Sequence, residues 1–199
     1  MEHKSICFIH ECSGLYLSRA TDILSSRRIQ PPPNELQGFA RPNMSAFLNY
    51  QQPEEIQPPD SFSVGGHVFT AFQKPSLDRD PATQVPFQVL RANGTGPLEV
   101  GDAFQLRSLE PGLWFGRRLL APINRQGPLS YADTWDEVAY VSQNDAQFST
   151  YWRLAPGSTI AQASSDDLLT VLLGNLCVVD ALWVDSAQWT LEPIPLERV

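Results

Sequence analysis

Apolar and polar residues alternate along this chain in short runs, and the runs are separated by Gly, Pro, Asn, Asp or Ser. Twelve such runs stand out: SICFIHE, GLYLSRA, HVFTAFQ, FQVLRA, DAFQLRSL, LWFGRRLL, EVAYVSQ, STYWRLA, STIAQAS, LLTVLLG, LCVVDALWV and QWTLEPI. A period of two, carried by β-branched and aromatic residues, predicts strands with one buried face. No stretch longer than about ten residues repeats its apolar positions at i, i+3, i+4 and i+7, so no long helix is predicted. EVAYVSQNDAQFSTYW comes nearest, and its Asn144-Asp145 turn pair divides it into two strands. The chain reads as all-β.

Two regions break the rhythm. Ser25 to Ser61 is rich in Pro, Gln and Asn and reads as a long surface insertion; Ala121 to Trp135 reads as a shorter one. Between them the runs recur. ICFIHECSGLYLSR aligns without a gap on FQLRSLEPGLWFGR, so that Ile6 meets Phe104, Phe8 meets Leu106, Gly14 meets Gly112, Tyr16 meets Trp114 and Arg19 meets Arg117. Three segments also close alike, PFQVLRANG, YWRLAPG and QWTLEPI, with Phe87, Trp152 and Trp189 as the closing aromatics. TIAQASSDDLLTVLL is a poorer third opening, with Asp166-Asp167 where the others carry a Gly turn.

Three copies of about four strands, each closing on an aromatic that only its neighbours can bury, resemble a β-trefoil with pseudo-threefold repeats and two loop insertions. The resemblance divides a single domain into repeat one (1–94, insertion 25–61), repeat two (95–157, insertion 121–135) and repeat three (158–199). An all-β sandwich or another barrel is the structural alternative. Among trefoils, QWTLEPI and YWRLAPGSTI are similar to ricin-type lectin repeats, and SGLYLSR is similar to fascin-like and agglutinin-type repeats. The Gln-x-Trp signature of the lectins is degenerate here: Val85, Thr150 and Ala187 stand two positions before the aromatics.

Composition narrows the function classes. The 199 residues are enough for one domain with a real core. A formal net charge of −8 repels phosphate backbones, and the basic doublets Arg27-Arg28 and Arg117-Arg118 do not offset it, so no nucleic acid partner is expected. The longest apolar run, Leu168 to Val179, is too short for a membrane span, which takes about 20 residues. Three cysteines do not make a disulfide framework, and no apolar leader precedes the first strand. The expected location is cytoplasmic, or exported without a recognisable signal peptide.

His3, Cys7, His10 and Cys12 are the densest set of reactive side chains. Strand alternation separates Cys7 from His10 and Cys12, which works against the tetrahedral convergence zinc needs. A Cys12–His10 pair lacks an oxyanion-hole motif. The set is therefore read as incidental to the first hairpin, with no catalytic or metal residue and no cofactor expected. Asp166-Asp167 and the other carboxylate pairs are read as solvated turns. An aromatic held in a polar segment is a better recognition residue, because it carries binding energy at low entropic cost. That singles out Trp135 and Tyr131 in SYADTWDEV, and Tyr140, 12 positions before Trp152, as ligand-binding residues. The functional expectation is a non-enzymatic binding module, with lectin-like recognition of carbohydrate or another ligand through loops between repeats. The alternative is a protein ligand, as for a trefoil protease inhibitor acting through the 25–61 segment. Oligomeric state is not encoded in any of these features.

Overall fold

The structure is a computed structural model, and it describes residues 5–28, 62–64, 67–94, 96–123, 135–144, 148–180 and 186–194. Thirteen strands make up these residues. They are β1 (Ser5–His10), β2 (Leu15–Arg28), β3 (Phe62–Val64), β4 (His67–Asp78), β5 (Phe87–Arg91), β6 (Ala103–Ser108) and β7 (Leu119–Ile123). Then follow β8 (Trp135–Val141), β9 (Tyr151–Ala155), β10 (Thr159–Gln162), β11 (Leu168–Leu172), β12 (Asn175–Val179) and β13 (Trp189–Ile194). The remaining regular elements are single 3-10 turns at Pro81–Thr83 and Trp114–Gly116. Eleven of the twelve runs coincide with a strand, and the twelfth, LWFGRRLL, holds the Trp114–Gly116 turn and only the first two residues of β7, so the all-β reading holds.

The β-trefoil does not hold. The antiparallel ladder runs β4–β2–β1–β5–β6–β9–β10–β11–β12–β8, and β8 returns to β4 with Gln73 opposite Tyr140. That ring is a closed ten-strand barrel, with β3 outside β4 and β13 outside β1. β7 joins β6 to β8 across the ring. The departure is plainest at β2 and β4. Where two short runs, GLYLSRA and HVFTAFQ, were expected, the two strands are long and pair from Tyr16–Asp78 to Arg28–His67, with one bulge between Ser18 and Ala20. Ser25–Arg28, expected as insertion, continue β2. At the second insertion, Ala121–Ile123 belong to β7 and Trp135 opens β8. The recurring turn and aromatic positions were real, but they report how a strand enters and leaves a closed sheet, not which strands pair. Closure in either fold removes sheet edges, so the same local signals serve both.

Those local signals are visible in the coordinates. The turn after β1 returns the Gly14 N–H to the His10 carbonyl at 2.8 Å, and the turn after β10 returns the Asp166 N–H to the Gln162 carbonyl at 3.0 Å. Gly14, Gly112 and Asp166 all take positive φ, at 65°, 82° and 65°. Asp tolerates that region better than most side chains, which is why Asp166 can stand where the other two turns carry Gly. The closing aromatics Phe87, Trp152 and Trp189 are buried in one cluster with Phe8, Phe104, Leu106, Leu120 and Ile160. Trp152 and Trp189 each donate their indole N–H to a main-chain carbonyl, of Leu120 at 2.9 Å and of Leu169 at 2.8 Å. Trp114 is half-buried.

A second, smaller cluster explains the continuous apolar runs of β7 and β8. Leu120, Val138 and Tyr140 face the main core. Leu119, Ala121, Ile123, Ala139 and Val141 face the opposite way, against Phe72 and Phe148. Strands covered on both faces lose the polar half of the alternation. One ion pair is carried inside the barrel wall. Lys74 of β4 pairs with Glu137 of β8 and also donates to Asn175 Oδ1 of β12 at 2.9 Å. Glu137 is only 1% exposed.

Candidate functional site

Tyr140 sits at the centre of the core, its ring 6.4 Å from that of Phe87 at an interplanar angle of 27°. Burial pushes its phenol well above the ordinary range, and the Ser108 hydroxyl beside it opposes the shift. No face of Tyr140 is open to a ligand, so the expectation of a stacking surface there is corrected. Its placement followed from spacing to Trp152, which does not report burial. Trp135 is the first residue of β8, opposite Val179; its side chain, and Tyr131 altogether, lie outside the described residues.

The first hairpin shows what its reactive side chains do. His10 is buried, with Nδ1 2.8 Å from the Ser13 hydroxyl and Nε2 2.6 Å from the Ser186 carbonyl. A carbonyl only accepts, so Nε2 carries the proton and Nδ1 accepts from Ser13. Thr170 donates to the same Ser186 carbonyl at 2.5 Å. The ring lies 5.0 Å from that of Trp189. Burial holds the imidazole below its usual pKa, against the contrary effects of the Ser186 carbonyl and Glu11. His10 thus ties the β1 turn to β11 and to the segment entering β13. Cys7 is buried with its thiol pushed up to about 11 by burial first and Glu192 second, the wrong direction for a nucleophile. Cys12 is exposed in the turn. Among the described residues no three His, Cys, Asp or Glu side chains converge as metal ligands would.

A concave site exists elsewhere. β13 starts beside β10, where Gln188 bridges Thr159 and the Trp189 N–H donates to the Ser158 carbonyl at 2.9 Å. It then follows β1, register Trp189–His10 to Ile194–Ser5, and parts from the β9–β10 hairpin. The gap is an open groove of about 420 Å³. Its apolar lining is Leu154, Ile160, Trp189 and Leu191, with Val100 standing 64% exposed on one side. Its polar lining includes Glu11, Ser158 and Thr190. The Thr190 hydroxyl donates to Glu11 Oε1 at 2.9 Å, which fixes that carboxylate against β13.

The register also orients the main chain at the groove. The Glu11 N–H donates to the Gln188 carbonyl, so the hydrogen-bonded pairs between β1 and β13 are those at Gln188, Thr190, Glu192 and Ile194. Trp189, Leu191 and Pro193 therefore direct their main-chain groups to the other edge. Trp189 uses Ser158 there; among the described residues no strand pairs with that edge at Leu191. Pro193, which has no N–H to offer, limits how far the edge could recruit another strand.

Sequence reasoning missed this groove because it is drawn from separate segments, around Glu11, Val100, Leu154–Ile160 and Trp189–Leu191. Pro193 in QWTLEPI was the one available signal, since proline inside a strand marks an edge. Among the described residues no helix is long and apolar enough to cross a membrane. No family model, curated protein or solved structure matches the chain.

Proposed function

We propose that this protein is a non-enzymatic binding module that takes a small ligand in the groove between β13 and the β9–β10 hairpin. The observation that carries the reading is the groove itself: about 420 Å³, a largely apolar lining and a few polar groups, with Glu11 held by Thr190. Binding sites for small ligands are commonly of this size and make-up. The titratable side chains nearest to nucleophile chemistry support a binding role over a catalytic one, because His10 is committed to Ser186 and Ser13 and the Cys7 thiol is held protonated. A carbohydrate would find hydroxyl partners in Glu11, Ser158 and Thr190. It would find no open aromatic face among the lining residues, since Trp189 is 2% exposed and its N–H is used by Leu169. The protein-partner reading through the 25–61 segment falls mostly on residues outside the described ones.

The test is chemical-shift mapping on the full chain with a panel of small probes: methyl glycosides, hexanol and short peptide amides. Saturable shifts clustered at Glu11, Val100, Leu154, Thr190 and Leu191 are expected from at least one class. Val100→Trp, a substitution at an exposed lining residue, should remove them with little change in Tm. A panel that leaves all five positions unmoved rejects the groove as the binding site.

A further inference from the structure

We infer that the groove is built for the free amino end of a short, extended, apolar peptide. The inference rests on the binding reading above and names the ligand class. Three features of the site converge on it. The first is charge. Glu11 is the one ionisable side chain among the described lining residues. Glu99 and Glu192 adjoin the lining residues Val100 and Leu191 in sequence, while Arg153, next to Leu154, is paired with Asp166. With Oε1 taking the Thr190 hydroxyl, Glu11 Oε2 is available to a cation. A terminal ammonium fits this carboxylate; a carboxylate or phosphate ligand would be repelled.

The second feature is the main chain. Leu191 presents one N–H and one C=O to the edge away from β1, by the same alternation that sends the Trp189 N–H to Ser158. A donor and an acceptor from one residue of a strand edge pair with one residue of an added strand. Two positions on, Pro193 withholds the next N–H, so the edge supports a short addition and not a long strand. A simple ammonium has no acceptor for the N–H; a peptide residue supplies both partners at strand spacing.

The third feature is the partly exposed apolar surface of Leu154 and Leu191, with Val100 64% exposed in the same lining. It offers a place for an aliphatic side chain. A volume of about 420 Å³ limits the occupant to a few residues. Ammonium on Glu11, the peptide unit on Leu191 and an aliphatic side chain on the apolar lining can be met together by a short chain end.

The experiment is titration of the isotopically labelled full chain with Leu-Val-amide, N-acetyl-Leu-Val-amide, hexanol and methyl β-galactoside. The free amine peptide should move the Glu11, Thr190 and Leu191 resonances. Acetylation should weaken it about three- to tenfold, the range of an exposed charge pair reinforced by hydrogen bonding. Glu11→Gln should weaken the free peptide by a similar factor and leave the acetylated one unchanged. If the two peptides bind the groove equally, or if hexanol or the galactoside binds there and the peptides do not, the peptide-end inference is overturned while the groove stands as a binding site. If none of the four moves a groove resonance, both readings fail.

Discussion

Nε2 of His10 lies 2.6 Å from the main-chain carbonyl of Ser186, 176 positions along the chain. The contact closes the N-terminal hairpin onto the segment that leads into β13, and it works with the imidazole neutral. Burial lowers the pKa of His10 from its ordinary 6.5, so the unfolded chain takes up that proton before the folded chain does. The stability His10 contributes is then complete above about pH 6.5 and declines as pH falls toward the lowered folded value. Urea unfolding of the protein and of His10→Gln at several pH values should show the variant losing less stability between pH 7.5 and 5. Parallel curves would exclude a buried neutral His10.

Glu110 has the opposite slope. Its carboxylate accepts the Ala20 N–H at 2.9 and 3.0 Å, at the bulge in β2, and burial raises its pKa against the Ala20 bond and Arg19. A raised carboxylate favours folding in acid, and that contribution is lost as pH rises through the folded pKa. Glu110→Gln keeps an acceptor for Ala20 without the charge. Its stability relative to the parent should increase from pH 4 to pH 7, as read by denaturant midpoints.

Lys74→Met should be among the most damaging single substitutions in the barrel wall. It removes the Lys74 ammonium from the Glu137 carboxylate, which is 1% exposed. Breaking a buried pair from one side costs about 3–5 kcal/mol, whereas replacing both partners by apolar residues is often near neutral. The double variant Lys74→Met/Glu137→Leu should therefore be more stable than Lys74→Met alone, and thermal unfolding of the parent, the two single variants and the double variant measures the coupling.

Leu173 has φ of 49° and is 87% exposed at the tip between β11 and β12, followed by Gly174 at 75°. Two positive φ values in a two-residue hairpin turn favour Asn-Gly. Leu173→Asn should raise stability by about 0.5–1 kcal/mol, with unchanged chemical shifts in the core.

Thiol reactivity should separate the three cysteines. Cys7 and Cys177 are buried, and burial pushes both thiols up to about 11. Cys12 is exposed. Brief treatment of the native protein with iodoacetamide, followed by peptide mass analysis, should place the label on Cys12, with Cys7 and Cys177 modified only after unfolding.

The alternation of side chains was enough to identify most of the strands, because a period of two states which face of a strand is buried whatever lies beside it; it missed β3 and took Ala121–Ile123 of β7 for an insertion. Turn chemistry was equally local: Gly14 and Gly112 take the positive φ their positions suggested, and Phe87, Trp152 and Trp189 are the core residues their recurrence implied. Pairing was a different matter. Nothing in the period of β2 or β4 says that they run together from Tyr16–Asp78 to Arg28–His67, or that Gln73 of β4 meets Tyr140 of β8 to close the ring. Those contacts depend on which buried faces fill one interior, a property of the whole chain. Tyr140 shows the cost of reading position without depth, since its spacing to Trp152 was right for a recognition residue and the closed barrel placed it at the centre. The groove is likewise a product of tertiary structure. Glu11 and Leu191 are ordinary residues in sequence, and they share a site because β13 keeps its register with β1 while it parts from β10 after Trp189.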